Sequence, residues 1–246
     1  KRMNDAFCGI VIEYREYREH DALLSVLRDD GVIIKISAKG IQKVKSKNAP
    51  ACQLFTYSRW YLNYRETSTM QSLKSAEILE SYRHIREDLI KQSIAAYFCE
   101  MILYSHFETP FAFDLLKHAL DILKSQDDPM VILCLFQVIV NRMHGIEMQC
   151  DGCVRCGTTK GIYAISLKDG GFICKMCAKG YDKVYSSKDL KCFRLLNKAQ
   201  LEHYDILKEI GGFRFEHFEQ LYAFFEEYAG IPIKSIQFLR ILKDMS

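Results

Sequence analysis

Four cysteines carry the one spacing in this chain that dictates a specific chemistry. Cys153 and Cys156 form a C-x-x-C pair, and after seventeen intervening residues Cys174 and Cys177 form another. Four thiolates so spaced can close a tetrahedral zinc site with bonds of about 2.3 Å. Gly157 after the first pair lets the backbone bend back and aim amides at sulfur, and Gly170-Gly171 before the second suits a hairpin turn. Between the pairs, 162–167 and 172–173 read as two short strands, so a zinc ribbon is expected. Four protein ligands leave no position for water or substrate, which makes the expected single zinc structural. The formal charge of such a zinc–tetrathiolate, about −2, would be softened by Arg155, Lys160, Lys175 and Lys179.

Other chemistries for these thiols fit the sequence less well. A redox C-x-x-C needs one pair in a thioredoxin-like βαβ setting, which the flanks lack. Disulfides need an oxidising compartment, and nothing here resembles a signal peptide. Cys150 makes a third C-x-x-C pair with Cys153 and stands as a second-rank candidate ligand. The remaining Cys8, Cys52, Cys99, Cys134 and Cys192 are scattered, several among apolar neighbours, and read as reduced core residues of a cytosolic protein.

A second constellation is electrostatic. From Gly31 to Arg65 there is no Asp or Glu, while Lys35, Lys39, Lys43, Lys45, Lys47, Arg59 and Arg65 are cationic. Phe55, Tyr57, Trp60, Tyr61 and Tyr64 interleave with the later part, so phosphates and base faces both find partners there. Lys35, Lys39, Lys43, Lys45, Lys47 and Arg59 are the candidate DNA contacts. The plainer reading is a solvated loop from Lys39 to Lys47 beside a barrel whose aromatics are core. Glu13, Glu16 and Glu19 make the preceding edge acidic, which confines a basic surface to one face.

No catalytic constellation accompanies these. His84, His106, His118, His144, His203 and His217 are scattered without a partner pattern. There is no Gly-rich phosphate loop, nucleophile elbow or H-E-x-x-H helix, and no carboxylate pair that spacing nominates. The sequence thus offers nothing positive for an enzyme.

The elements that must position these residues fall into two kinds. Short β-rich runs at 7–14, 23–28, 32–39, 53–64 and 70–79 fill the first eighty residues, with Asp30-Gly31 as a hairpin signal. Five strands with no long helix among them suggest an OB-fold barrel. After Glu80 the pattern takes a helical period, with Ile94, Tyr97, Phe98, Met101 and Ile102 on one stripe and Phe113, Leu116, Leu120 and Leu123 on another. Thr109-Pro110 and Asp128-Pro129 read as helix starts, and 131–140 as a helix buried on all sides, closed by Met143-His144-Gly145. It is too short to span a membrane, which takes about 20 apolar residues. Helices are expected again at about 198–210, capped by Asn197 with Gln200, and at 214–229.

The predicted fold class is therefore α+β: a five-stranded OB-fold over residues 4–80, and an all-α domain over 81–246 with a zinc-binding segment inserted at 150–180. A chain of 246 residues and 49% hydrophobic content suits two globular domains. The net charge of +3 says little by itself. Lys1-Arg2 ahead of Met3-Asn4 suggests a native start at Met3.

This order of parts resembles the bacterial recombination mediator family RecO. The likeness runs through Gly9-Ile-Val-Ile12, Glu19-His-Asp21, Gly31, Lys39-Gly40 and the basic run to Lys47. It continues in Ala76-Glu77-Ile-Leu79 with Ile85-Arg86-Glu-Asp-Leu89, in Cys153-x-x-Cys156-Gly with Cys174-x-x-Cys177, and in Lys234-Ser235 before Phe238-Leu239. The added Cys150, and lysines where many relatives mix in arginines, depart from the pattern. The resemblance implies a non-enzymatic DNA repair and recombination protein of the RecFOR pathway, cytoplasmic and nucleoid-associated, with no membrane role. Such a protein binds single- and double-stranded DNA and anneals complementary strands. Its implied partners are RecR, with which it loads RecA, the C-terminal tail of single-strand-binding protein, held by a pocket in the helical domain, and RecF. Two rival readings are a zinc-containing transcription regulator, which would prefer a specific DNA sequence, and a protein-interaction adaptor, which would bind no DNA.

Overall fold

The computed structural model describes residues 6–65, 67–125 and 128–244. The expected start at Met3 lies outside them. Five strands, β1 (Phe7–Tyr17), β2 (Asp21–Arg28), β3 (Ile33–Ala38), β4 (Tyr57–Asn63) and β5 (Met70–Glu80), close a barrel in the order β1-β2-β3-β5-β4. All pairings are antiparallel except β3 with β5, whose register begins at Lys35 opposite Met70. Alternation sends Val11, Leu24, Val26, Ile36 and Trp60 inward, and the Trp60 indole donates to the Gly9 carbonyl. The Asp30-Gly31 hairpin forms as its turn chemistry requires, with Gly31 at φ +87°. The fourth strand begins later than its apolar run. Phe55, buried and at φ +71°, kinks the chain so that its amide and the Thr56 carbonyl bond to Val11 instead of extending β4.

Helices α1 (Arg83–Glu87), α2 (Leu89–Ser105), α3 (Pro110–Ser125) and, after the rest of the chain, α8 (Ser235–Asp244) share the barrel's compact unit. Asp88 caps α2 by accepting from the Ile90 and Lys91 amides. Arg86 ties α1 to the barrel by donating to the Leu54 and Ser81 carbonyls and the Thr56 hydroxyl. Both Glu100 carboxylate oxygens on α2 accept from amides at the start of α8, Lys234 at 2.9 Å and Ser235 at 2.8 Å. Ile236 and Leu239 of α8 are buried.

The second compact unit, Asp127–Pro232, holds the cysteine segment between α4 (Met130–Met143) and three further helices. These are α5 (Ser187–Lys198), α6 (Tyr204–Ile210) and α7 (Phe215–Ala229). Asp128 accepts from the Met130 amide, and every residue from Val131 to Asn141 is buried. Buried polarity is satisfied in series: Gln137 donates to Asn141, which donates to the Leu221 carbonyl and pins α4 on α7.

The helix expected from 198 to 210 is corrected. Asn197 lies inside α5, where its amide donates to the Met148 carbonyl, and a one-turn helix at Leu201–His203 precedes α6. The cap is Gln200 with His203, whose Nδ1 accepts from the Gln200 amide. The sequence reading missed α5 although its signal was present, with Ser186 at the N-cap accepting from the Asp189 amide.

Candidate metal centre and nucleic-acid surface

Three short strands, β6 (Ile162–Ser166), β7 (Gly171–Cys174) and β8 (Lys183–Val184), form a sheet in the order β7-β6-β8. Turns at both ends of the quartet present the thiols. The Gly157 amide bonds the Cys153 carbonyl at 2.7 Å, and the Cys177 and Ala178 amides bond the Cys174 carbonyl. Gly157 and Gly170 adopt φ of +76° and +81°, a region that other residues enter at a cost.

Cys153, Cys156, Cys174 and Cys177 bring their Sγ atoms within 4.8 Å of one another. The Cys156 and Cys174 sulfurs are 3.7 Å apart, against about 3.8 Å for the edge of a tetrahedron with 2.3 Å metal–sulfur bonds. Electrostatics agree with geometry. Burial pushes the Cys153 thiol up, but hydrogen bonds from backbone amides, Cys174's foremost, outweigh it and bring the group down to about 6. Contact with the Cys156 and Cys174 sulfurs pushes Cys177 up to about 12. Sulfurs this close share protons unless a cation lets all four ionise, so the quartet fits one divalent, thiophilic metal. Cys150 is outside the cluster; burial pushes its thiol up to about 12, as for an ordinary core cysteine.

Arg155 does not soften the thiolates as its position suggested. Its guanidinium bonds the Asp169 and Asp182 carboxylates and the Cys177 carbonyl, with the Asp182 side chain fully buried. It acts as a clamp joining the first knuckle, the β6–β7 turn and the segment before β8. The ribbon is also fastened to α7, where Tyr228 donates to the Leu167 carbonyl and Tyr185 donates to Gln220. No sequence spacing signalled these partners.

The candidate DNA contacts lie on the barrel. Lys39, Lys43, Lys45 and Lys47 are exposed on one connection between β3 and β4. That connection is anchored: Asp21 accepts from the Gly40 amide, the Gln42 amide bonds the His20 carbonyl, and Ile41 is buried in the barrel core. Among the described residues none of these lysines, nor Lys35, has an acidic partner within ion-pair distance. Lys35 is exposed on β3. Arg59 stands apart on β4, with Glu77 of β5 directly opposite.

The aromatics divide. Trp60 and Phe55 are core, and Tyr57 packs against Phe113 with ring centroids 5.7 Å apart. Tyr61 and Tyr64 remain half-exposed. Tyr64 lines a cleft of about 370 Å³ with Lys35, Ile33, Ile34, Thr69 and Gln71. Gln71 stiffens its rim by bonding the Arg65 amide and the Arg65 and Ser68 carbonyls. The meeting of Lys35 with Tyr64 depends on the parallel β3–β5 pairing, which no local pattern announces.

The family described as Recombination protein O N terminal matches residues 3–82, and that described as Recombination protein O C terminal matches 86–237. The DNA repair protein RecO of Halalkalibacterium halodurans is 26% identical, covering 96% of this chain and 94% of the relative. Those of Bacillus pumilus and Bacillus subtilis are 28% and 27% identical, each again covering 96% of this chain and 94% of the relative. No helix among the described residues is long and apolar enough to cross a membrane.

Proposed function

The chain belongs to the RecO family, and on that premise we propose that it is a cytoplasmic, non-enzymatic DNA repair protein that holds DNA without reading its sequence. It binds single and double strands, anneals complementary ones, and with RecR helps load RecA onto strands coated by single-strand-binding protein. The tail of that coating protein and RecF complete its partners. One structural zinc is held by Cys153, Cys156, Cys174 and Cys177. It fixes the ribbon and takes no part in chemistry, because all four positions are filled by thiolates.

One observation carries the reading of the barrel. Four lysines on an anchored, acid-free connection have no acidic partner among the described residues, so their charge is available to phosphates. Lys35 extends that surface on β3, and Arg59, apart on β4 opposite Glu77, is a further candidate contact. Tyr64 in the cleft beside Lys35, and Tyr61, offer faces on which unpaired bases stack. Lysines grip phosphates as point charges and not as bidentate forks, which suits strands that must slide to find their register.

The test is a salt titration of binding to a single-stranded oligonucleotide. With about four phosphate contacts the log–log slope is expected near −3, at roughly 0.7 per contact. Combined Lys39→Ala, Lys43→Ala, Lys45→Ala and Lys47→Ala should flatten that slope and slow annealing, with little dependence on base sequence. A folded variant with the original slope and affinity would reduce the stretch to a solvated loop. A marked preference for one duplex sequence would instead favour a transcription regulator, and no DNA binding at all an adaptor.

A further inference from the structure

The cysteine ribbon carries more charge than its metal needs. From Gly152 to Lys188 there are seven cations, Arg155 and six lysines, against two carboxylates, Asp169 and Asp182. Both carboxylates are bound by Arg155. Lys160, Lys168, Lys175, Lys179, Lys183 and Lys188 are all exposed, and none has an acidic partner within ion-pair distance among the described residues. A zinc–tetrathiolate of about −2 still leaves the segment positive.

Aromatic surface lies among these lysines. Tyr163, on the central strand β6, is 38% exposed and Tyr181 58% exposed. The Lys179 ammonium lies 5.8 Å from the centre of the Tyr181 ring. At the second knuckle the Lys175 amide bonds the Gly161 carbonyl, bringing the Lys160-Gly161 turn beside Lys175 and the fully projecting Met176. Edge strand β8 shows only Lys183 and Val184. The Arg155 clamp and the tie to α7 hold this face rigid.

We infer that the ribbon is a second binding surface for single-stranded nucleic acid, with its lysines on phosphates and Tyr163 and Tyr181 under bases. Spread cations with interleaved flat rings suit a flexible strand whose bases are unpaired, whereas a duplex would leave the rings idle. The inference rests on the DNA-binding reading of the barrel and extends it. Barrel and ribbon belong to different compact units, so the protein carries one strand-binding surface on each, and annealing needs two strands held at once.

Full-length zinc-loaded protein is compared with two variants, the barrel quadruple above and a ribbon quadruple of Lys160→Ala, Lys175→Ala, Lys179→Ala and Lys183→Ala. Each is checked for one zinc per chain, then titrated with oligo-dT against salt and assayed for annealing. The ribbon variant is expected to lose binding at a second strand, reduce the total salt slope by about 3, and anneal about tenfold more slowly, while Lys→Arg at the same four positions restores it. Unchanged slope and annealing in the zinc-loaded ribbon variant, with a defect in the barrel variant, overturns the ribbon and keeps the barrel. A defect in the ribbon variant alone keeps the ribbon and overturns the barrel. In the unmodified protein, oligonucleotides bearing 5-iodouracil should photocrosslink to Tyr163 or Tyr181. Absence of crosslinks within 152–188, or preferential capture of poly-glutamate over oligo-dT, would overturn the inference, the latter in favour of an acidic peptide.

Discussion

Arg155 shows how much of a thiol cluster's placement lies outside the cysteines. Its guanidinium satisfies the buried Asp182, the Asp169 turn and the carbonyl of Cys177 at once, so the clustered sulfurs keep their places through one residue outside the quartet. Replacing it leaves a buried carboxylate unpaired and a ligand backbone loose. Arg155→Ala is expected to retain zinc about 10- to 100-fold less tightly, read as faster transfer to a coloured chelator, with the distant helices unaffected. The clustering of the four thiols was legible from spacing because paired C-x-x-C turns constrain neighbouring residues. Arg155 was legible only as a positive charge, since its carboxylate partners come 14 and 27 residues later with no periodic relation to it.

At the scale of elements, the beginnings of α5 and α7 are locked together by charge. Asp189 on α5 accepts from Ser186, from Arg214 and from the buried His217 at the start of α7. Burial pushes Asp189 up, but Ser186 and the facing cations outweigh it and hold its carboxyl below the usual range. Burial holds His217 below its ordinary 6.5 despite Asp189. Unfolded chains therefore take up this histidine proton at higher pH than folded ones, and stability falls as pH drops through 6.5 toward the folded value. The Asp189 contribution is present above its unfolded value of 3.8 and is lost only as pH falls through the lower folded one. Between about pH 7.5 and 5.5 the melting temperature should fall, and His217→Gln should show a smaller fall even if it melts lower throughout. Periodicity found the apolar stripe of α7 but read His217 as unpartnered, because the Asp189 that binds it sits 28 residues earlier on a helix the pattern had not separated.

For the whole molecule, the division into two compact units determines what zinc can stabilise. The quartet lies in the second unit beside a core built from α4 and α7, whose apolar burial does not need the metal. Chelation is expected to unfold the ribbon, exposing four titratable thiols, while most helical circular dichroism persists; metal analysis should first return one zinc per chain. The barrel was legible because its alternating runs and the Asp30-Gly31 hairpin are local features. That α8 joins the barrel's unit was not, since its partner Glu100 precedes it by 134 residues.

That junction has a consequence for how the protein is made. The first unit is interrupted: α2 emerges from the ribosome early, yet α8, which covers part of it and whose first amides Glu100 accepts, is synthesised after the entire second unit. The second unit can complete its fold while α2 still waits with a carboxylate and an apolar strip unmatched. A chain stopped before Ile233 should therefore contain a folded second unit and a loosened first one, seen as rapid proteolysis or hydrogen exchange across α2 with protection retained in α4 and α7. Folding order here runs against the order of synthesis, and the unit begun first is the last to settle.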